Sequence, residues 1–154
     1  LSAGGIWMGL DPGNSRIGVA LSDPELSFAH PDRNIAVSGD YFYALDDVIA
    51  LIEDNNVQHV VVGYPLQLDG NEGRSAKKAR RFSEAVSRRL AADGYDASVE
   101  LKDERMTTVS AHAQLHEAGM GMRRHRQAVD QQAAVIILQS ALDSYRSSVS
   151  PQGS

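Results

Sequence analysis

Three carboxylates each stand at one end of a patterned element. In MGLDPGNSRIGVALSD (residues 8–23), Asp11 closes an apolar run just before Pro-Gly-Asn-Ser. In KDER, Glu104 closes the alternating stretch SVELKDE (98–104), with Asp103 just before it, and in AVDQQAA, Asp130 lies in the first turn of a helix-patterned segment. Carboxylates far apart in sequence could be brought together at one edge of a sheet. There they repel one another by several kcal/mol unless a cation neutralises them. The chain has no cysteine, so a metal would be held by oxygen or imidazole ligands, which suits hard cations such as Mg2+ or Mn2+. A carboxylate-bound divalent cation of this kind performs phosphoryl chemistry, because it activates water and stabilises charge on a phosphate. Each acid also has a plainer use: Asp11 opens a turn before Pro-Gly, Asp103 and Glu104 end a solvated strand, and Asp130 suits a helix N-terminus.

The distribution of charge points to a partner. The formal net charge is −5, yet residues 1–70 hold two basic side chains against ten acidic ones, while residues 71–154 hold thirteen against ten. Ten of the fifteen Lys and Arg residues fall in two clusters: Arg74, Lys77, Lys78, Arg80, Arg81, Arg88 and Arg89, then Arg123, Arg124 and Arg126. Such clusters could clasp a phosphate backbone, or simply form solvated faces. No apolar stretch reaches the roughly 18–20 residues needed to span a bilayer, and the amino terminus lacks the layout of a signal peptide. A cytoplasmic protein without membrane contact is the expectation. At 154 residues a single domain spanning 1–154 is expected, with flexible ends at 1–5 and 147–154.

The elements that must position the acids can be read from pattern. Residues 6–11 and 16–23 are strands joined by the Pro-Gly turn, and a third strand within 28–37 is irregular or at an edge because of Pro31. Helical spacing covers 40–55, and HVVVGYP (59–65) is the β-branched pattern of a buried strand. A basic helix runs from 74 to 92, and a strand covers 98–104. Thr107 or Thr108 caps a helix ending at Gly119, a loop GMGMRRHRQ follows as a candidate flap, and a last helix covers about 128–146. The order βββαβαβαα predicts an α/β fold: a mixed five-stranded sheet, three leading antiparallel strands and then parallel ones, with helices on both faces.

Four segments in order, GLDPGNSRIGVALSD, VVVGYPLQLDGNEG, KDERMTTVSAHAQLHEAG and RRHRQAVDQQAAVIILQSALD, make nearly the whole chain resemble the YqgF/RuvX family of ribonuclease H-like proteins. Members of that family are described as Holliday junction resolvases and as nucleases of the 16S ribosomal RNA precursor. The resemblance implies a metal-dependent nuclease with Asp11, Glu104 and Asp130 as catalytic metal ligands for Mg2+ or Mn2+. It favours precursor ribosomal RNA as substrate, with branched or single-stranded DNA second. Along a strand successive side chains point to opposite faces, so Asp103 and Glu104 cannot both enter one site unless the strand has already ended, and the resemblance favours Glu104. Asp143, thirteen helical residues past Asp130 and about 20 Å along the axis, is excluded.

Further roles are expected for Arg16, Arg74, Lys77, Lys78, Arg81, Arg105, Thr107, Thr108, Arg123, Arg124 and Arg126 in binding nucleic acid. Gly13 would let a backbone approach the first hairpin, and His125 could protonate a leaving oxygen. The more distant RuvC resolvases resemble one another in a second acid on the last helix, where this chain has Ala133. Gln67 and Ser15 stand where the family often has asparagine and lysine. Two other classes compete: an actin-like nucleotide-binding module, which shares the D-x-G opening but needs two related domains, and a nucleic-acid-binding protein with a weak or lost metal site. The protein is expected as a monomer or a homodimer, the latter being needed for symmetric junction cleavage.

Overall fold

The computed structural model describes residues 5–38, 41–106 and 122–149. Five strands form one sheet: β1 (Ile6–Pro12), β2 (Arg16–Ser22), β3 (Ala29–Ala36), β4 (Val57–Tyr64) and β5 (Ser98–Asp103), in the order β3-β2-β1-β4-β5. The β1–β2 and β2–β3 pairs are antiparallel, whereas β1–β4 and β4–β5 are parallel. This is the expected mixed sheet. Pro31 lies where expected as well: β3 is an edge strand, and its register against β2 shifts beside the Ala20–Pro31 pair.

Period-two alternation distributes the strand side chains between two layers. Met8, Leu10, Ile17, Val19, Val60 and Val62 face α1 (Phe42–Asp54) and α2 (Arg74–Ala92), where they bury against Val48, Ile52, Phe82, Val86 and Leu90. Trp7, Ala20 and Val61 face α3 (Met122–Val149), which contributes Ala134, Ile137, Leu138, Ala141 and Leu142. Contact between α3 and β1 is close because Gly9 has no side chain: a Cβ there would stand 2.8 Å from the Ala134 carbonyl oxygen and 2.8 Å from Leu138 Cβ. Gln139 fastens α3 to the β2–β3 connection, its Oε1 accepting from the Ala29 amide at 2.9 Å and its Nε2 donating to the Ser27 carbonyl at 3.0 Å.

Two boundaries differ from the sequence expectation. Strand β5 ends at Asp103, and Glu104 opens a 3-10 turn, Glu104–Met106. Helix α3 begins at Met122 rather than near 128, so the basic triplet Arg123, Arg124 and Arg126 is helical and not part of a loop. Met, Arg and Gln are good helix formers and continue the helical run toward Gly121, so the expected flap shortens at this end. The helix also continues to Val149, into the expected flexible end. The expected helix between Thr107 and Gly119 lies outside the described residues, as do Thr107 and Thr108 themselves.

Candidate active site

The C-terminal ends of β1, β4 and β5 lie side by side, and Gly63 is the centre of the arrangement. It follows Val62, which pairs with Leu10 of β1, and it pairs with Lys102 of β5. Asp11 therefore stands one residue beyond the Leu10–Val62 rung, on the strand next to Gly63, about 4.8 Å away in the hydrogen-bonding direction. Alternation puts Asp11 on the same face as Trp7 and Gly9, the face that α3 covers.

Glu104 comes onto that face from the other side. It is 7% exposed, and a Cβ built on Gly63 would lie 2.7 Å from Glu104 Oε2 and 2.6 Å from Ile137 Cδ1. The missing side chain of Gly63 is thus the space in which the Glu104 carboxylate rests. A glycine inside the β-branched run VVVGYP is the signal of such a close approach, and the sequence reading passed over it.

Asp103 behaves as its register demands. It shares the parity of Val99 and Leu101, which pack into the layer of α1 and α2, and it is gripped by its neighbour Arg105. Arg105 Nε donates to both carboxylate oxygens (3.1 and 2.9 Å), Nη2 donates at 2.6 Å, and the Arg105 amide donates at 3.0 Å. These side-chain and backbone hydrogen bonds hold the Asp103 carboxyl below the usual carboxylate range. Glu104 and Asp103 therefore have separate surroundings, one buried over Gly63 and the other tied to a guanidinium near solvent.

The third acid is approached through α3. Ala134 and Leu138 lie against Gly9, and Asp130 precedes Ala134 by one turn on the same helix, toward the end of β1 where Asp11 stands. The side chains of Asp130, Arg123, Arg124, His125 and Arg126 lie outside the described residues. Among the described residues no group of three His, Cys, Asp or Glu side chains lies close enough to hold a metal, so Asp11 and Glu104 are the part of the expected ligand set that can be seen. All their donors are oxygen, as a hard divalent cation requires. Ala133 is buried at 4% exposure and offers no fourth carboxylate, while Asp143 accepts from Gln139 Nε2 at 3.1 Å, far from the other acids in the helix.

The turn after Asp11 is held from below. Tyr41 donates its hydroxyl to the Gly13 carbonyl at 2.8 Å, and its ring packs on Phe82 with centroids 4.9 Å apart. Burial, with the Asp11 charge as a second cause, pushes the Tyr41 hydroxyl up to about 12, so it remains a donor throughout the neutral range. Lys78 lies 5.4 Å from the Tyr41 ring centroid and donates to Asn14 Oδ1 at 3.3 Å, which brings one cation of α2 beside the β1–β2 turn.

The basic cluster of α2 divides into two groups. Arg80 is engaged by Glu72 and Glu84, and Arg89 by Asp46 and Asp93. Arg74, Lys77, Arg81 and Arg88 are exposed and recur at helical spacing on one stripe. Arg16 is half-buried at the start of β2, where it pairs with Ala36 of β3.

Residues 5–144 match the family model described as "RuvX: Holliday junction resolvase". The chain belongs to the RuvX family. It is 56% identical over 149 residues to the "Putative pre-16S rRNA nuclease" of Bifidobacterium longum subsp. infantis, an alignment that covers 92% of this chain and 99% of that one. The protein of the same name from Thermobifida fusca is 41% identical over 157 residues, covering 97% of this chain and 94% of the other. RuvX membership is matched at the level of fold. A structure of Thermus thermophilus RuvC in complex with a Holliday junction substrate superposes with a TM-score of 0.55 at 15% identity, over 92% of this chain and 95% of that one. The RuvX chain thus has the RuvC-like ribonuclease H fold expected from its four segments. Among its described residues no helix is long and apolar enough to cross a membrane.

Proposed function

We propose that the protein is a divalent-metal-dependent nuclease acting in the cytoplasm, with structured precursor 16S ribosomal RNA as its substrate. The observation that supports this best is the pairing of Asp11 and Glu104 on one face across Gly63, with Asp130 one turn beyond the helix residues that touch β1. Asp11, Glu104 and Asp130 would hold Mg2+ or Mn2+. Such an ion, when bound, supplies a water of lowered pKa and neutralises charge developing on the phosphate. The chain's own residues do the rest. Arg105 holds Asp103 aside, Gly63 leaves room for the Glu104 carboxylate, and Tyr41 steadies the turn that follows Asp11. The stripe Arg74, Lys77, Arg81 and Arg88, with Lys78 at the β1–β2 turn, draws in and aligns the phosphate backbone.

The substrate assignment follows the names of the relatives, at 56% and 41% identity. Junction DNA is the second reading, favoured by the description of the family model; it would require a homodimer to present two sites symmetrically. The deciding experiment offers the protein a precursor 16S RNA fragment, single-stranded DNA and a four-way junction, each with Mn2+, Mg2+ or chelator. Cleavage of the RNA that requires metal and disappears in Asp130→Asn, with the circular dichroism spectrum and Tm retained, is expected. Unchanged cleavage by Asp130→Asn would remove the carboxylate triad, and preferential cutting of the junction would replace RNA with DNA.

A further inference from the structure

The connection from β4 to α2 is held by hydrogen bonds along most of its length, its corner included. Tyr64 donates to Glu72 at 2.8 Å, and Arg80 donates to the same carboxylate through Nε at 2.8 Å and Nη2 at 3.2 Å. The Gln67 amide donates to the Asn71 carbonyl at 3.0 Å, and the Gly70 amide donates back to the Gln67 carbonyl at 2.8 Å. Asp69 accepts from the Asn71 amide at 2.9 Å and from its side-chain Nδ2 at 3.0 Å, while Gln67 Nε2 fills the place a Gly73 Cβ would take. Gly70 has φ +88°, in the left-handed region that favours glycine, so the corner is a fixed turn with Leu68 and Asp69 at its apex.

Leu68 is 94% exposed. A single exposed leucine is ordinary on a protein surface, but this one crowns a braced turn whose other side chains are spent on holding it. Its place is also particular. The turn leaves the same sheet end as Glu104, and a Cβ on Gly70 would lie 3.5 Å from Arg105 Nη1, so the apex stands beside the DER segment. An apolar side chain held rigidly next to a guanidinium, that of Arg105, matches the wedges with which proteins part stacked base steps.

We propose that Leu68 packs against a nucleobase at the boundary between paired and unpaired strands, next to the scissile phosphate, and so directs the enzyme to helix ends and openings. The proposal rests on the nuclease reading of the same site. No bond is made or broken by Leu68; it is a specificity-determining residue whose contact favours an unstacked base.

The test uses the full chain, a hairpin RNA with a single-stranded 5′ extension and 2-aminopurine at the first unpaired position, and a fully single-stranded RNA of the same composition. Wild-type binding should raise the 2-aminopurine emission as the base leaves its neighbours. Leu68→Ala should abolish most of that rise and lower kcat/KM on the hairpin by about tenfold, the effect of losing most of a buried leucyl surface, with a much smaller change on the single strand. Leu68→Phe should retain both. Because the side chain is in solvent, Tm should be unchanged in either variant. Equal 2-aminopurine response and an unaltered hairpin-to-single-strand ratio in Leu68→Ala would overturn the wedge, and would turn attention to a protein partner for the same residue. A Leu68-dependent emission change in a protein that cuts neither RNA with Mg2+ or Mn2+ would keep the wedge and overturn the nuclease reading.

Discussion

At the scale of single residues, Gly63 and Glu104 form one unit. The carboxylate occupies the volume of a side chain that glycine lacks, and Ile137 closes the same space from α3. Gly63→Ala should therefore push on both neighbours. Overpacking of this kind costs about 1–3 kcal/mol, and a displacement of a reacting group by about 1 Å can cost on the order of 100-fold in rate. The two effects can be separated, because Ile137→Val removes the Cδ1 atom that meets the new methyl group. In the double variant, chemical denaturation should show most of the lost stability recovered, while metal-dependent cleavage stays depressed because Glu104 is still displaced. Recovery of both together would mean that Glu104 is not held for chemistry. Tyr41 shows the same economy at the neighbouring turn: a half-buried hydroxyl held protonated by desolvation and by the Asp11 charge donates to a backbone oxygen of the first hairpin.

At the scale of elements, the braced β4–α2 connection gives a pH prediction whose sign is fixed by Glu72. Hydrogen bonds from Arg80 and Tyr64 depress the Glu72 carboxyl from its ordinary 4.5 to about 2. A depressed folded-state pKa means that the bracing is fully present above about 4.5 and is lost as pH falls toward about 2. The amide resonances of Gly70 and Gly73 should hold still from pH 7 to 4.5 and move only below that. Glu72→Gln should move them at pH 7, and movement of the wild-type resonances already at pH 6 would refute the brace. Much of this level could be read from the sequence. The β-branched run of β4, the apolar stripe of α2 and the Pro-Gly turn after Asp11 have local patterns strong enough to define themselves, whereas the separation of Asp103 from Glu104 comes with the end of β5 between them and not from alternation alone. The start of α3 did not, because two glycines at 119 and 121 made a loop of residues that are themselves good helix formers. Nor did the Gly63 cradle, which Glu104 and Ile137 reach from tens of residues away, or the Glu72 brace, whose partners Tyr64 and Arg80 stand on the strand and the helix at either side of it.

At the scale of the whole molecule, the sign of the net charge is a poor guide to the partner, because the acidic excess lies in the first 70 residues and the cations are gathered downstream. The structure divides those cations by task. Arg89 joins α2 to α1 through Asp46 at 2.7 Å, and Arg80 serves the brace, whereas Arg74, Lys77, Arg81 and Arg88 line one exposed stripe of α2. If that stripe meets phosphates, affinity should fall with salt by counterion release, with log K declining by about 0.7 per phosphate contact for a single strand and about 0.9 for a duplex. Four contacts correspond to a slope of roughly −3 to −4 on a log–log plot. Replacing Arg81 and Arg88 together with Ala should make the slope shallower by about 1.4–1.8 and leave Tm unchanged, since both side chains are exposed. Arg89→Ala should show the reverse pattern, a slope close to wild type with the loss confined to the α1–α2 contact. Fluorescence-anisotropy titrations from 50 to 300 mM salt, chosen to span about a sixfold range of counterion concentration, measure the slopes. A slope near zero in the wild type, or one that Arg89→Ala and the Arg81/Arg88 pair reduce equally, would show that the stripe is merely a solvated face and that the nucleic acid is held elsewhere.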